Sequence, residues 1–458
     1  MQRSSTHRPV GVASPRTLLR DNGPSRAAPS GALGLVSFLA FVVLPSLAWA
    51  ADPRQADPNE GLQVIVGPGG TGLDPLAVPE ARCEEGAPEA ACKTVVEVLR
   101  RNLTLSFLFQ VIPPRSYLVD PQVEPLEQPS FPEWTNIGAR WLAKAQVTGR
   151  GPYDLELRLF NVVDRSAVRV KEQTFKGLDE AGLRNAVHRF CNGVLEARTG
   201  TPGVFDTRIA YSVKVSGGVK AIATVSMDGL DKAGIANNGS INTLPAWGLG
   251  GVLYTSFIDG KPDLFLGRKK LTRDEGHYRK VAVSPDGSKM VASVSFGGQS
   301  DLYLLSQDGK AIKNLTESAF DEVSPTFSPD GGKIAFVSNQ AGSPQIYVMS
   351  VGGGGATRVT HAGGYNYAPD WGKNGLIAFA AMDDGGSDIF TVTEGGSMRR
   401  LTQNQGFNKD PTWSRDGRYL AFVSTRSDGS GVYVMSADGR YQFLVLKGGG
   451  FGNTAWER

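Results

Sequence analysis

With 458 residues, of which 40% are hydrophobic and 20% charged, the chain can form two or three globular domains and is too apolar to be disordered. Its formal net charge of +3 arises near the N-terminus, where residues 1–50 hold five arginines and one aspartate, so the remainder carries about −1. No basic cluster elsewhere predicts binding to nucleic acid or to a membrane surface.

The N-terminal segment has the pattern of a secretory signal. Its arginines precede an uncharged apolar run from Gly31 to Trp49, which ends in the small-x-small sequence Ala48-Trp49-Ala50. We expect cleavage after Ala50 and a soluble mature protein, because no later apolar run is long enough to span a bilayer. The alternative is an uncleaved anchor helix, which Pro45 and the shortness of the run disfavour.

The chain contains three cysteines. In an oxidising compartment Cys83 and Cys92 could form a disulfide that closes a small loop just before a helix. The equal alternative is that both cysteines remain free thiols. Cys191 lies in an amphipathic helical pattern that predicts a buried thiol. A zinc site is disfavoured because neither a CxxC motif nor paired histidines occur.

The segment from about residue 61 to 201 alternates between strand and helix patterns, which predicts a small α/β domain. Strands are predicted at 62–67 and 109–112, on either side of a helix at 93–107, followed by a short helix at 131–138, two antiparallel strands and a helix at 178–198. Gly200, Pro202 and Gly203 mark its boundary. The predicted organisation is a signal peptide at 1–50, a flexible mature N-terminus at 51–60, the α/β domain at 61–201 and a second domain at 202–458.

A repeat dominates this second domain. Similar stretches begin at Val281, Pro325, Ala368 and Pro411, about 42 to 44 residues apart, the length of one four-stranded propeller blade. Each contains a tight turn whose Pro, Asp or Asn, and Gly suit the turn geometry, so the repeated aspartates Asp286, Asp330 and Asp416 are predicted to be turn residues rather than ligands. The aromatic residues Phe327, Trp371, Trp413 and Trp456 share one blade position and are predicted to pack between blades.

Two less regular copies, beginning at Pro245 and at Arg208, and the final segment complete the domain. Asn453 to Trp456 resembles the first strand of a blade, and this strand is missing from the copy at Arg208. We therefore expect the last strand to complete the first blade, which closes the ring and protects its edges. The predicted fold class is an α/β N-terminal domain plus an all-β six-bladed β-propeller.

The repeats are similar to the PD40 or WD40-like repeats of the TolB family, and the resemblance extends through the α/β domain to the leader. It is carried by TNIGARWLAKAQVTG at 135–149, GTPGVFDTRIAYSV at 200–213 and the closing Ala455-Trp456. The resemblance implies a periplasmic, non-enzymatic component of the Tol-Pal envelope system, without cofactor or metal, that supports outer-membrane integrity and constriction at cell division.

The resemblance also implies two protein partners. The propeller would bind the peptidoglycan-associated lipoprotein Pal, and the mature N-terminus would contact the inner-membrane component TolA, the protein being peripheral to the membrane through these partners only. Residues of the family's partner-binding face correspond by position to His277, Lys280 and Val323, and neighbouring loops would add Tyr367 and Lys409. The family often has small or polar residues at the positions of Lys280 and Val323, and the stretch ADPRQADPNEG lacks its usual hydrophobic TolA-binding pattern. Without the resemblance, His277 would be interpreted as an ordinary solvated histidine.

Enzymatic alternatives have less support in the sequence. The chain has no GxSxG elbow and no HExxH motif, and only four histidines. The competing hypothesis is a propeller enzyme that acts on a sugar or lactone with bound calcium, held by acidic residues such as Asp321, Glu322, Asp383 and Asp384.

Overall fold

The computed structural model describes residues 65–66, 72–383, 385–403, 405–427 and 429–458. The predicted signal peptide with its cleavage site at Ala50, the mature N-terminus at 51–60 and Asp384 lie outside the described residues. Within these ranges no helix combines the length and the apolar character that crossing a bilayer requires.

The N-terminal part is a mixed sheet covered by helices. The first strand, β1 (Ile65–Val66), pairs with the propeller and is discussed below. The sheet of the α/β domain contains β2 (Asp74–Ala77), β3 (Arg82–Glu84), β4 (Phe109–Val111), β5 (Trp141–Thr148), β6 (Tyr153–Asn161), β7 (Ser166–Val168) and β8 (Thr174–Leu178). The helices are α1 (Glu89–Leu105), α2 (Phe131–Asn136) and α3 (Glu180–Thr199), with a 3₁₀ turn at Pro114–Ser116.

The predicted βαβ unit is present, but its first strand was assigned wrongly. The strand predicted at 62–67 pairs, in its described part β1, with Gln442 and Tyr441 of the propeller. Its place beside α1 is taken by β2, which runs parallel to both β4 and β5. The apolar pattern at 62–67 predicts a strand but does not indicate which strand it pairs with. Strand β2 was missed because it is only four residues long and contains a proline, so its sequence pattern is weak.

Helix α3 forms as the sequence predicts. The side chain of Asp179 caps its N-terminus by accepting a hydrogen bond from the Gly182 backbone N–H, at 2.7 Å. Gly200 ends it in the left-handed conformation, with φ of 79°. The predicted apolar face is buried, as is the Cys191 thiol, which confirms both predictions; the face comprises Leu183, Val187, Phe190, Val194 and Leu195.

The second part is a six-bladed propeller, which confirms the predicted fold class. The closing blade contains β9 (Arg208–Ser216), β10 (Val219–Ser226) and β11 (Lys232–Ala236). The next three blades are β12 (Asn242–Gly248), β13 (Gly251–Ser256), β14 (Asp263–Leu266) and β15 (Lys269–Lys270); β16 (His277–Val283), β17 (Met290–Ser295), β18 (Asp301–Leu305) and β19 (Ala311–Asn314); and β20 (Glu322–Phe327), β21 (Lys333–Ser338), β22 (Gln345–Ser350) and β23 (Thr357–Arg358). The last two are β24 (Tyr365–Trp371), β25 (Ile377–Asp383), β26 (Gly386–Val392) and β27 (Met398–Arg400); and β28 (Asn408–Trp413), β29 (Tyr419–Ser424), β30 (Gly431–Ser436) and β31 (Tyr441–Lys447).

The final strand closes the ring. Strand β32 (Phe451–Trp456) pairs antiparallel with β9 and is the innermost strand of the closing blade, as predicted from the residues at Asn453 to Trp456. Neighbouring strands within each blade are antiparallel, and residues of the six innermost strands line the central channel. The interblade aromatic residues are buried, as predicted, at Phe327, Trp371, Trp413 and Trp456.

Repeated polar residues hold each blade together. The turn aspartates accept a hydrogen bond from a serine two residues earlier, as between Ser328 and Asp330 at 2.6 Å, which confirms their predicted role. A second set of hydrogen bonds is made by the threonine that follows the outermost strand. Thr360, for example, donates to Gln345 at 2.8 Å and accepts the Ile346 N–H at 2.9 Å. Equivalent threonines are Thr272, Thr316 and Thr402.

The α/β domain packs on the last blade and the closing blade, at the end of the propeller that carries the serine-aspartate turns. Phe107 stacks on Tyr441 with ring centroids 5.8 Å apart, and one apolar core continues from α1 and α3 into these blades. Arg415 in a turn of the last blade pairs with Asp206 at 3.1 Å. The innermost strands begin at the other end, which we call the mouth and which includes His277, Asp321 and Tyr365.

A buried polar network fixes this contact between the domains. The Asp228 carboxylate accepts from Arg184 of α3 at 3.0 Å, and the Asp228 carbonyl oxygen accepts from the Arg101 guanidinium of α1. His188 lies 4.0 Å from the same carboxylate and is hydrogen-bonded to Asn102 at 2.8 Å. Burial lowers the pKa of His188.

Candidate functional site: the propeller channel

The central channel is a cavity of about 770 Å³ bounded by the innermost strands of all six blades. Its lining runs from the mouth, at His277 and Asp321, to the opposite end, at Phe327 and Arg458. Four of the five residues that the resemblance suggested as a partner-binding set therefore lie around one concave space. Such a space suits a ligand or an inserted protein segment.

A bulge in each innermost strand shapes this channel. The pairing register shifts at the same place in β12, β16, β20, β24, β28 and β32. In β20 the residue at the shift, Ser324, has φ of 56°, and Pro325 follows it. Proline fits here because a bulged residue has no ladder hydrogen bond to donate. The residues at this level of the six strands, the bulge ring, are Pro245, Lys280, Pro325, Pro369, Pro411 and Thr454.

Four of the five predicted partner-binding residues line the cavity: His277, Lys280, Val323 and Tyr367. His277 is exposed at the mouth, and Val323 is half-buried. The Tyr367 hydroxyl is 3.0 Å from the Ser387 hydroxyl, and burial raises the pKa of Tyr367. Lys409 is half-buried on β28 but lies outside the lining. Their role in partner binding stays a prediction.

Lys280 lies deeper than its neighbour His277 and is the charged member of the bulge ring. Its ammonium donates to the Pro245 carbonyl oxygen at 3.3 Å. Burial lowers the pKa of Lys280, which the charges of Asp370 and Asp410 oppose and that of Arg458 reinforces. The channel wall thus holds a half-buried amine with one hydrogen bond among the described residues, although an ammonium group has three donors.

Asp370 connects three innermost strands, a role that the sequence analysis missed. Its carboxylate accepts the Trp413 N–H at 2.7 Å, and the hydroxyls of Thr326 and Thr412, each at 3.2 Å. It also pairs with the guanidinium of Arg458. Thr412 continues the pattern by accepting the Trp456 N–H at 3.1 Å. Alignment of the repeats could have revealed this role, because a hydrogen-bonding residue, Thr326, Asp370 or Thr412, precedes three of the four buried aromatic residues.

Glu322, at the mouth, is a buried structural acid. Its carboxylate accepts hydrogen bonds from Ser318 at 2.8 and 2.9 Å and from Ser338 at 3.0 Å. Burial raises the pKa of Glu322, against the effect of these hydrogen bonds. The innermost strands β24 and β28 carry a buried asparagine at the same place, Asn366 and Asn408, which shows that an uncharged side chain fits this position.

We expect Glu322→Gln to change how stability depends on pH. A raised pKa in the folded state means that the stabilising contribution is complete below the ordinary glutamate pKa and is lost as the pH rises through the raised value. Urea unfolding of both proteins between pH 4 and 7 should therefore show the wild type losing stability relative to the variant as the pH rises. A difference that does not change with pH would contradict this.

Exposed apolar side chains cluster around the mouth. Among the described residues of the propeller, the large exposed hydrophobic side chains lie at this end with one exception, Ile312 on an outermost strand. The apolar rim, as we call them, consists of Val215, Ile241, Ile258, Phe296, Phe320, Tyr365, Met382 and Phe407. Val215, Tyr365 and Met382 lie at the ends of strands and the others in loops between strands. Sequence analysis missed them because exposed residues at such places follow no common period. A rim of this kind is typical of a protein-binding surface.

The acidic residues suggested for a calcium site are dispersed or engaged. Asp321 accepts the Ser300 N–H at 2.9 Å, and Asp383 ends a strand in another blade. In the described ranges no group of three or more histidine, cysteine or acidic residues could hold a metal ion. Away from the channel, the structure places Cys83 and Cys92 in a disulfide at the start of α1.

Family models match both parts of the chain. The model described as the TolB amino-terminal domain matches residues 62–168, and the model of the TolB β-propeller domain matches residues 195–381. Among solved structures, the crystal structure of TolB from Acinetobacter baumannii superposes with a TM-score of 0.72 at 21% identity, over 86% of this chain and 98% of that one. At that identity the superposition shows a shared fold.

Curated relatives extend the comparison. The Tol-Pal system protein TolB of Anaeromyxobacter dehalogenans (strain 2CP-C) is 39% identical over 297 residues, which are 62% of this chain and 67% of that protein. The protein of the same name from Desulfosudis oleivorans is 37% identical over 258 residues, 53% of this chain and 58% of its own. Together with the two domain matches, this similarity shows that the chain belongs to the TolB family.

Proposed function

We propose that the protein is a periplasmic scaffold of the Tol-Pal envelope system that binds a Pal-type peptidoglycan-associated lipoprotein at the mouth of its propeller. In this role it supports outer-membrane integrity and envelope constriction at cell division. The observation that carries the proposal is the apolar rim, which lies at the same end of the propeller as His277, Val323 and Tyr367 and includes the channel residue Tyr365. Family membership and the names of the relatives support it.

The arrangement favours binding over catalysis. The described acidic residues of the channel accept structural hydrogen bonds. The Asp370 carboxylate, for example, accepts from groups on two neighbouring innermost strands. The proposal includes export by the leader with cleavage near Ala50, association with the membrane through partners, and a contact with a TolA-type protein through the mature N-terminus. The leader and residues 51–60 lie outside the described part of the chain.

Capture from cross-linked envelopes tests the lipoprotein partner. The tagged mature protein, starting at Ala51, is compared with a variant that carries Phe320→Asp and Phe407→Asp, two rim residues in different blades. Mass spectrometry should identify a Pal-type lipoprotein with the wild type, and the double variant should retain less than about a tenth of it, because charges in the rim must be desolvated on binding.

The matched control carries Ile312→Asp and Val163→Asp, which are also exposed apolar residues but lie away from the mouth. Its capture should equal that of the wild type. No lipoprotein with the wild type would refute the proposed function. Equal losses in both double variants would refute the mouth as the binding surface.

A further inference from the structure

The bulge ring of the channel contains an amine where the repeats otherwise place an apolar or neutral residue. Four of the six strands carry proline at this level, and β32 carries Thr454, whereas β16 carries Lys280. A proline side chain has no charge and no hydrogen-bonding group to satisfy, but a half-buried ammonium group requires hydrogen-bond acceptors and a compensating charge. The described structure gives Lys280 one acceptor, the Pro245 carbonyl oxygen at 3.3 Å.

The acids nearest to this amine are already engaged. Asp370 pairs with Arg458 and accepts from the Trp413 backbone, and Asp410 accepts the Asn453 N–H at 2.9 Å. Among the described residues no carboxylate lies within ion-pair distance of Lys280, nor of Arg279, the exposed neighbour that also lines the channel. Two adjacent residues of β16 thus bring positive charge into the channel without a direct partner.

Charge complementarity indicates which chemical group would bind beside Lys280 in the channel. A carboxylate beside Lys280 would supply the missing charge and acceptors, and it would do so in a space that is partly shielded from water, where such a pair is strong. An amide or a basic group would leave the ammonium uncompensated. The apolar rim lies at the same end of the propeller, and its Tyr365 also lines the channel, which suits a protein segment with apolar flanks.

We infer that the segment of the partner that enters this channel carries an aspartate or glutamate, and that Lys280 binds its carboxylate. This rests on the proposed function, because the segment is taken to belong to the lipoprotein bound at the mouth. The inference adds the chemistry of recognition, and it predicts that the lipoprotein has an acidic residue on its binding surface that matches this chain's lysine.

Binding of the purified soluble domain of the captured lipoprotein tests this inference by calorimetry at low and high salt. Lys280→Thr copies the residue of β32 at this level, so it should fold, and equal melting temperatures would verify this. It should bind at least about tenfold more weakly than the wild type, and its affinity should depend less on salt. Lys280→Arg should stay within about threefold. The control Lys269→Thr, which removes an exposed lysine of an outermost strand, should bind like the wild type.

A charge exchange identifies the partner residue. Lys280→Glu should abolish binding, and changing each acidic residue of the lipoprotein domain to lysine in turn should restore binding of this variant in one case. If Lys280→Thr binds as tightly as the wild type with the same salt dependence, or if no acid-to-lysine change restores binding, the inference is wrong while the proposed function stands. If the wild type does not bind the lipoprotein domain, both are wrong.

Discussion

Replacing Asp228 by asparagine is expected to lower the free energy of unfolding by about 3 kcal/mol or more. Asp228 is fully buried between the two domains, where its carboxylate pairs with Arg184 and accepts from the Ser226 hydroxyl and the Leu230 N–H. Asparagine has nearly the same shape but no charge, so Arg184 would lose its counter-charge within the domain contact. Urea unfolding at pH 7 measures the loss.

The effect should shrink at low pH. Burial by itself would raise the pKa of Asp228, but the basic groups of His188 and Arg184 and the hydrogen bonds outweigh it and lower the pKa. A lowered pKa contributes stability above the unfolded-state pKa that is lost as the pH falls through the folded-state value. The difference between wild type and variant should therefore be larger at pH 7 than at pH 3.

Asp231→Asn is the matched control for this experiment. Asp231 lies three residues away and pairs with Arg208, but its side chain is about half exposed, 53%. Exposed ion pairs contribute little, so this change should cost less than about 1 kcal/mol. Equal losses from the two substitutions would show that the interdomain charge contributes no more than a surface pair does.

Replacing Asp370 by alanine should have the second largest effect, a loss of about 2 to 4 kcal/mol. The change leaves the backbone N–H of Trp413 and the hydroxyls of Thr326 and Thr412 without this acceptor. It also removes the ion pair with Arg458. The carboxylate joins three neighbouring blades, so its loss weakens contacts that no ladder hydrogen bond replaces. Tryptophan fluorescence during urea unfolding reports the change, since Trp413 lies at the site.

The variant Asp370→Thr tests whether a hydroxyl can replace the carboxylate as the hydrogen-bond acceptor. Thr326 and Thr412 fill the same position in the adjacent blades, and Thr412 accepts the next tryptophan N–H through its hydroxyl. This variant should recover more than half of the stability that alanine loses. If it is as unstable as Asp370→Ala, the ion pair with Arg458 matters more than the backbone acceptor, and Arg458→Gln should then reproduce the loss.

The repeats made the propeller predictable, because four regular copies share the same turn and strand pattern, and four of the six blades carry a buried aromatic residue at one position. The closing strand was predictable for the same reason, since the segment at Asn453 to Trp456 lacks a blade of its own and the copy at Arg208 lacks a first strand. By contrast, β2 was missed and 62–67 was assigned to the wrong sheet, because pairing between distant segments leaves little trace in a short local pattern.

The site was predictable in part. The resemblance pointed to positions of which four, including His277 and Tyr367, line one channel. The connection made by Asp370 and the depth of Lys280 depend on a bulge that turns side chains toward the axis, and such geometry is not visible in hydrophobic periodicity. The apolar rim was missed because exposed residues in loops and at strand ends follow no common period.

The closure of the ring also constrains how the chain folds. The Ser212 hydroxyl on β9 donates to the Gly452 carbonyl oxygen on β32, a contact that spans 240 residues of chain. Pairing between such distant segments is slow, because a long loop must close before the contact gains any free energy. When the chain is synthesised from its N-terminus, the edge of β9 that pairs with β32 therefore stays unpaired until β32 itself has been made, and in this interval it is open to aggregation and to capture by a chaperone.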